Sequence, residues 1–270
     1  MSTHKIGRVG IIGLGAIGKR VLGALQTQHL PLACYAAINH AAEVDGYAKD
    51  HNVELFTEVQ QLIDWKPDLV IECAGHSAVV HAVPAFLHAG VDVVIASIGA
   101  LADKALAANL ELVAQKGGAR LILVSGAIGG LDAMRSARSA GLDEVLYIGR
   151  KPPKAWVGTP AEEEFDLDQI KVPTTIFRGT AAHASVRFPK NANVTAAVAL
   201  SGVGFDRTQV ELIADPTVEK NVHEVNAKGA FGELSIRLVN NALPDNVKTS
   251  WLAALSIEEA VSKQLLSTVF

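Results

Sequence analysis

The chain has 270 residues, of which 49% are hydrophobic and 19% charged, and it carries 23 glycines. That is enough apolar material for one large or two small cores, so disordered, collagen-like and disulfide-scaffold classes are excluded. With 24 Lys and Arg against 28 Asp and Glu, the formal charge is -4. No basic block of about five residues interrupts the balance, which argues against nucleic acid or an anionic membrane as the main partner. Two cysteines, Cys34 and Cys73, cannot make a disulfide framework, and a reducing cytoplasm is the expected home. The apolar stretch at 9–12 is too short for a signal segment, and no uncharged apolar run of ~18 residues offers a membrane span.

In chain order, a β-branched run over 8–12 leads into Gly13-Leu14-Gly15-Ala16-Ile17-Gly18 and a helical stretch to residue 28. Further apolar runs at 32–38, 68–73 and 91–96 read as buried strands. Helical spacing over 77–88 ends at Ala89-Gly90, and an Ala/Leu-rich helix over 102–116 closes at Gly117-Gly118. A strand returns at 119–124. This alternation predicts an α/β fold, a Rossmann-type doubly wound parallel sheet.

After Gly130 the texture changes. Strands are expected at 142–150, 174–177, 209–214 and 231–239, with a helix over 192–201 and a polar, loop-rich region from Lys151-Pro152-Pro153 to residue 164. This predicts a second, smaller α+β domain. The tail over 248–266 has helical spacing and is expected to fold back on the first domain. The division is therefore a dinucleotide-binding domain over 1–130, completed by a C-terminal helix within 241–270, and a second domain over 131–240.

The glycine loop lies between a strand and a helix, the context in which such a pattern binds a dinucleotide. Gly13, Gly15 and Gly18 permit the tight turn, close approach to pyrophosphate and close helix–strand packing, while Ala16 and Ile17 open the helix whose free N–H groups favour phosphate. The second strand ends at Asn39-His40, where an acid would normally accept from the ribose hydroxyls. Asn39 is neutral and does not repel a 2′-phosphate, and Arg20 and His40 could lie near that phosphate, Arg20 reading equally as a solvated helix residue. NAD and NADP both remain open. Cys73-Ala74-Gly75-His76 and the segment 97–101 put small residues at the sheet's carboxyl edge, with Ala74 beside the expected nicotinamide ribose and His76 read as a solvent-facing residue. Ser125-Gly126-Ala127-Ile128-Gly129-Gly130 suits either backbone contact with a flat ring or a hinge.

Two polar clusters stand out in the second half. Phe188-Pro189-Lys190-Asn191-Ala192-Asn193 enters a helix, and Asn193 either caps it or meets a ligand. Lys190 and Asn191 are candidates for substrate carboxylates. The other cluster runs from Asp215 to Val225, where His223 has Asp215 and Asn221 as candidate orienting groups. Histidine titrates near neutrality, which suits moving a proton as hydride leaves an amino or hydroxyl carbon. His76, His81 and His88 lack partners to complete a tetrahedral set, so no metal is expected. No Gly-x-Ser-x-Gly elbow follows a strand. Cys73 reads as packing rather than a nucleophile.

The glycine loop, Ser125-Gly126-Ala127-Ile128-Gly129-Gly130-Leu131-Asp132-Ala133, Phe188-Pro189-Lys190-Asn191-Ala192-Asn193-Val194, and Asp215-Pro216 with Asn221 and His223 together resemble the L-aspartate dehydrogenase family. The resemblance runs from the glycine loop to Lys248-Thr249-Ser250. It implies a Rossmann domain, a smaller domain used for homodimer contact, and NAD(P)-dependent oxidation of L-aspartate to iminosuccinate, then oxaloacetate and ammonia. It also implies a place in NAD biosynthesis. In that family the residue matching His223 is catalytic, and those matching Ala127 and Asn193 contact the cofactor. Two alternatives carry distinct expectations: a homoserine-type dehydrogenase would not turn over aspartate, and a non-catalytic NAD(P) sensor would bind dinucleotide without hydride transfer.

Overall fold

In the computed structural model the described residues are 6–27, 34–38, 44–244 and 246–265. They divide into two units, Met1–Val124 with Ala254–Phe270, and Ser125–Ala253. The division thus falls a few residues before the expected boundary at 130 and well after the one expected at 241.

The first unit runs β1 (Arg8–Ile12), α1 (Ala16–Thr27), β2 (Cys34–Ile38), α2 (Asp45–Asp50), β3 (Val53–Phe56), α3 (Val59–Asp64), β4 (Leu69–Glu72), α4 (His76–His81), α5 (Val83–His88), β5 (Asp92–Ile95), α6 (Lys104–Gly117) and β6 (Leu121–Leu123). The strands form one parallel sheet in the order β3-β2-β1-β4-β5-β6. Chain direction across the sheet reverses between β1 and β4, and ligands of such sheets bind in the crevice outside the strands' carboxyl ends at that point. The runs are continuously apolar because helices cover both faces. Val9, Ile11, Leu69, Ile71 and Val94 are fully buried.

The segment expected as one helix over 77–88 is two, α4 and α5. They meet at Ala82, and Pro84 lies in the first turn of the second, where its missing N–H costs least. Asp103 caps α6 by accepting from Ala105 N and Leu106 N, and Gly118 ends that helix in the left-handed conformation, φ 68°. The C-terminal helix, α11 (Trp251–Leu265), gives Ile257, Ala260 and Val261 to the same core as Val9, Val21 and Leu25. Its Glu258 pairs with Arg20 of α1, Nε–Oε1 3.1 Å.

The second unit holds α7 (Leu131–Ala137), β7 (Leu142–Lys151), α8 (Ala161–Glu164), β8 (Thr174–Thr180), α9 (Ala181–Arg187), α10 (Ala192–Ser201), β9 (Gln209–Ala214), β10 (Asn221–Gly229) and β11 (Gly232–Asn240), then a small ladder of β12 (Ala242–Leu243) with β13 (Asn246–Ser250). Its main sheet has the order β11-β10-β7-β9-β8, antiparallel except for the β7–β9 pair. Residues up to Ser250 in the expected C-terminal helix are strand instead, and the helix begins at Trp251.

The sheet's two faces differ. Odd-numbered positions of β7 and β10 (Val145, Tyr147, Val225, Ala227) are buried, whereas Leu146, Ile148, Arg150, Glu224 and Asn226 on the other face are partly exposed. Helix α10 is buried at every position from Val194 to Ala199, so its apolar surface runs all the way round.

Candidate active site

In the first unit the glycines of the loop are dictated by space. Gly13 has φ +90°, and a Cβ there would meet Ala74 Cβ at 2.8 Å. A Cβ at Gly18 would lie 2.0 Å from Gly13 O, so the turn closes only with glycine there. Gly15 is the contrast, because a Cβ would meet nothing within 4 Å. The open space over Gly15 and the start of a twelve-residue α1 with no acid in its first turn fit a dinucleotide pyrophosphate. Ala16 and Ile17 open that helix, and Ala74 stands against Gly13 where β1 and β4 end together. Asn39 and His40 lie outside the described residues. Arg20, offered above as a 2′-phosphate partner, is engaged by Glu258.

The carboxyl edge has an organiser that sequence reading passed over. Glu72, fully buried at the end of β4, accepts from Ala74 N (2.8 Å), Gly75 N (2.7 Å) and Ser97 Oγ (2.9 Å) through Oε1, and from Ser97 N (3.0 Å) through Oε2. One carboxylate therefore ties the loops after β4 and β5 together, satisfying donors that would otherwise be orphaned. Burial, with the Glu72 charge beside it, pushes the Cys73 thiol far up, which leaves it an inert packing residue.

In the second unit the chemistry gathers on the covered sheet face. His223 on β10 is 4% exposed and stands opposite Gly149 of β7. Residues two apart on a strand share a face, so Tyr147, Gly149 and Lys151 all look toward the His223 side. The Tyr147 hydroxyl lies 2.8 Å from His223 Nδ1. Gly149 makes that reach possible, because a Cβ there would sit 2.9 Å from Tyr147 Oη and 3.2 Å from Leu212 Cδ2. Tyr147, not Asp215 or Asn221, is thus the orienting group. Asp215 uses Oδ1 on Thr217 N (2.9 Å) and Thr217 Oγ1 (2.6 Å), and Oδ2 lies 3.6 Å from Arg150. Asn221 Nδ2 donates to Ser250 Oγ at 3.5 Å.

The ring is electrically quiet. Burial, helped by the Lys151 cation, lowers the His223 pKa to about 3, so the imidazole is neutral at physiological pH. Burial also pushes the Tyr147 phenol well above its ordinary range, keeping it protonated. A neutral imidazole keeps the Tyr147 bond in either tautomer. Tyr147 donates to Nδ1 when Nε2 carries the proton, and accepts from Nδ1–H when Nε2 is bare.

Other candidates gather on the same face. Asn240 of β11 donates to Ala127 O at 2.7 Å, and Leu238 and Ile236 stand next to Gly129 and Gly130, which seats the 125–130 segment on the sheet beside His223. Asn191 precedes α10 and accepts a hydrogen bond from Lys151 Nζ through Oδ1. Asn193 lies within the first turn of α10, exposed, and is not its cap. Lys190 belongs to the short turn Pro189–Asn191, and its side chain is outside the described residues. Tyr147, Gly149 and Lys151 escaped sequence reading, although their alternation within one strand was the available signal.

A parallel sheet with a glycine turn at the switch point, joined in one chain to a unit with a buried, oriented histidine and matched by an NAD-binding family profile, defines a two-unit NAD(P)-dependent oxidoreductase. Family profiles match both halves: the NAD-binding domain of homoserine dehydrogenase over residues 13–124, and the C-terminal domain of aspartate dehydrogenase over 132–264. The chain is 44% identical to an L-aspartate dehydrogenase of Ralstonia nicotianae over 265 residues, 95% of this chain and 97% of that one. It is 50% identical to one from a Polaromonas species over 199 residues, 73% of this chain and 74% of that one. A solved aspartate dehydrogenase of Thermotoga maritima superposes with a TM-score of 0.79 at 27% identity, covering 99% and 100% of the two chains. A hyperthermophilic archaeal homoserine dehydrogenase in complex with NADPH shares the fold alone, at TM-score 0.61 and 11% identity. The chain belongs to the L-aspartate dehydrogenase family.

Proposed function

We propose that the chain catalyses NAD(P)-dependent oxidative deamination of L-aspartate to iminosuccinate, hydrolysed to oxaloacetate and ammonia, and the reverse reductive amination. The observation that carries this reading is the buried Tyr147–His223 pair, in a chain similar to L-aspartate dehydrogenases along nearly its whole length. Gly13, Gly15 and Gly18 with the N–H groups of Ala16 and Ile17 would hold the pyrophosphate, and Asn39, Ala74, Ala127 and Asn193 are assigned to the rest of the dinucleotide. When bound, the nicotinamide ring supplies the two-electron acceptor, and in reverse the donor.

The protein's own part is proton handling. The substrate amine must shed a proton before its carbon can give up hydride, and the imine carbon must then take up a deprotonated water. His223 is assigned both transfers at Nε2: with Nδ1–H donating to Tyr147, it takes the ammonium proton to become imidazolium, passes that proton to solvent, and is neutral again to take a proton from the attacking water. Tyr147 accepts from Nδ1–H throughout, so the imidazole need not move. Iminosuccinate is also required at the first committed step of NAD biosynthesis, and the enzyme is assigned there, in the cytoplasm. The open sheet face, with Val239 half exposed at its edge, supports a homodimer.

The test is oxidation of NADH or NADPH by purified protein with oxaloacetate and ammonium, followed at the reduced-nicotinamide band beside His223→Ala. Ammonium-dependent oxidation that collapses in the variant is the expected result. Dinucleotide binding without turnover would overturn the reading.

A further inference from the structure

Lys151 ends β7 on the face shared by Tyr147 and Gly149. Its ammonium donates to Asn191 Oδ1 and lies 5.3 Å from the centroid of the Trp156 ring. The groups facing it are His223 from β10, Asn191 from the turn before α10, Trp156 from the turn Pro153–Trp156, and Tyr147 from its own strand. None carries negative charge at neutral pH. Among the described residues no carboxylate pairs with Lys151, and the acids nearest in the sheet are committed elsewhere. Asp215 is held by Thr217 and Arg150, and Glu224 lies on the opposite face between Arg150 and Arg237.

A half-buried cation opposed only by a neutral amide and an aromatic face costs free energy that an incoming anion recovers. We propose that Lys151 Nζ binds a carboxylate of the substrate, with Asn191 positioning the ammonium beside His223. This rests on the dicarboxylate substrate proposed above and supplies a cation for it from β7, a strand outside the helix-entry cluster around Lys190. Burial lowers the Lys151 pKa to about 8, so most of the population is charged at pH 7 and ready for an anion.

The test uses succinate, a dicarboxylate with no amine to deprotonate and nothing at that carbon to oxidise, titrated calorimetrically into the NAD-saturated protein. Loss of a charged hydrogen bond predicts roughly 10- to 100-fold weaker succinate binding in Lys151→Met, with dinucleotide affinity unchanged. Lys151→Arg retains binding. Wild-type affinity falls as pH rises through about 8, where Lys151 loses its proton, whereas that of Lys151→Arg stays level because guanidinium does not titrate there. A role confined to folding would not produce this difference between the pH profiles. Equal succinate affinity in wild type and Lys151→Met, parallel pH profiles for wild type and arginine variant, or no succinate binding by wild type overturns the proposal. Lys151-dependent succinate binding in a protein that does not turn over aspartate would leave this assignment standing and remove the proposed reaction. Normal aspartate turnover with succinate binding indifferent to Lys151 would do the reverse.

Discussion

Substituting Lys151→Met keeps an unbranched apolar stem over Trp156 and deletes the ammonium, so it separates what the cation costs the fold from what it does for a ligand. Burial lowers the amine from 10.5 to about 8. At pH 7 the group is charged in both folded and unfolded chains, and the folded state carries the cost of holding it. At about 1.4 kcal/mol per tenfold, that gap sets a ceiling of about 3.5 kcal/mol. The variant also loses the bond to Asn191, so a net gain of about 1–2 kcal/mol is expected. For a domain of this size that is a rise of roughly 2–6 °C in melting temperature. The penalty is present in full below the folded pKa. It fades as pH rises through 8 to 10.5, because the folded state sheds its proton first while the unfolded chain still holds one. Thermal unfolding of both proteins at pH 7 and pH 10.5 should therefore show a gain at the lower pH that largely disappears at the higher. A variant less stable than wild type at pH 7, or an equal gain at both pH values, would refute the reasoning.

Tyr147→Phe removes the partner of His223 Nδ1 and should lower kcat by roughly 10- to 100-fold while leaving dinucleotide affinity intact, read by steady-state kinetics beside fluorescence titration. Gly149→Ala pushes a Cβ to 2.9 Å from the same hydroxyl and should reproduce that loss, with about 1–3 kcal/mol of overpacking in urea unfolding. Glu72→Ala orphans the N–H groups of Ala74, Gly75 and Ser97, so a destabilisation of about 2–5 kcal/mol with weakened dinucleotide binding is expected, and intact affinity would count against its role in shaping that edge. His223 has a folded pKa of about 3 against an ordinary 6.5, so the unfolded chain binds its proton first and stability falls as pH drops below 6.5. His223→Gln should flatten that acid limb in unfolding measured between pH 7 and pH 4.

The parallel sheet was legible because strands buried on both faces carry runs such as 68–73 and 91–96, and because glycines that close on their neighbours, like Gly13 and Gly18, leave a fixed spacing. Strand β3 and the helices α2 and α3 were not, since Val53–Phe56 is only four residues long and its apolar run is broken by Glu54. His223 stood out through its residue type and the family resemblance. Its true partner did not, because Tyr147 is 76 positions away and the contact exists only through the β7–β10 register. Asp215 was attractive by proximity along the chain, but alternation and the Thr217 turn direct its carboxylate to Arg150 instead. Lys151 was hidden by Pro152 and Pro153, which made the end of a ten-residue strand look like the start of a loop.

The contribution of α11 to the first unit's core has a consequence for biogenesis. Residues 125–253 form a contiguous stretch that emerges whole from the ribosome and can collapse on its own contacts. The first unit begins earlier but waits longer, because Ile257, Ala260 and Val261 are translated only after the entire second unit. Until they arrive, the nascent parallel sheet exposes the apolar surface those residues later cover. The amino-terminal half is therefore the part of the nascent chain most in need of chaperone protection, even though it is made first.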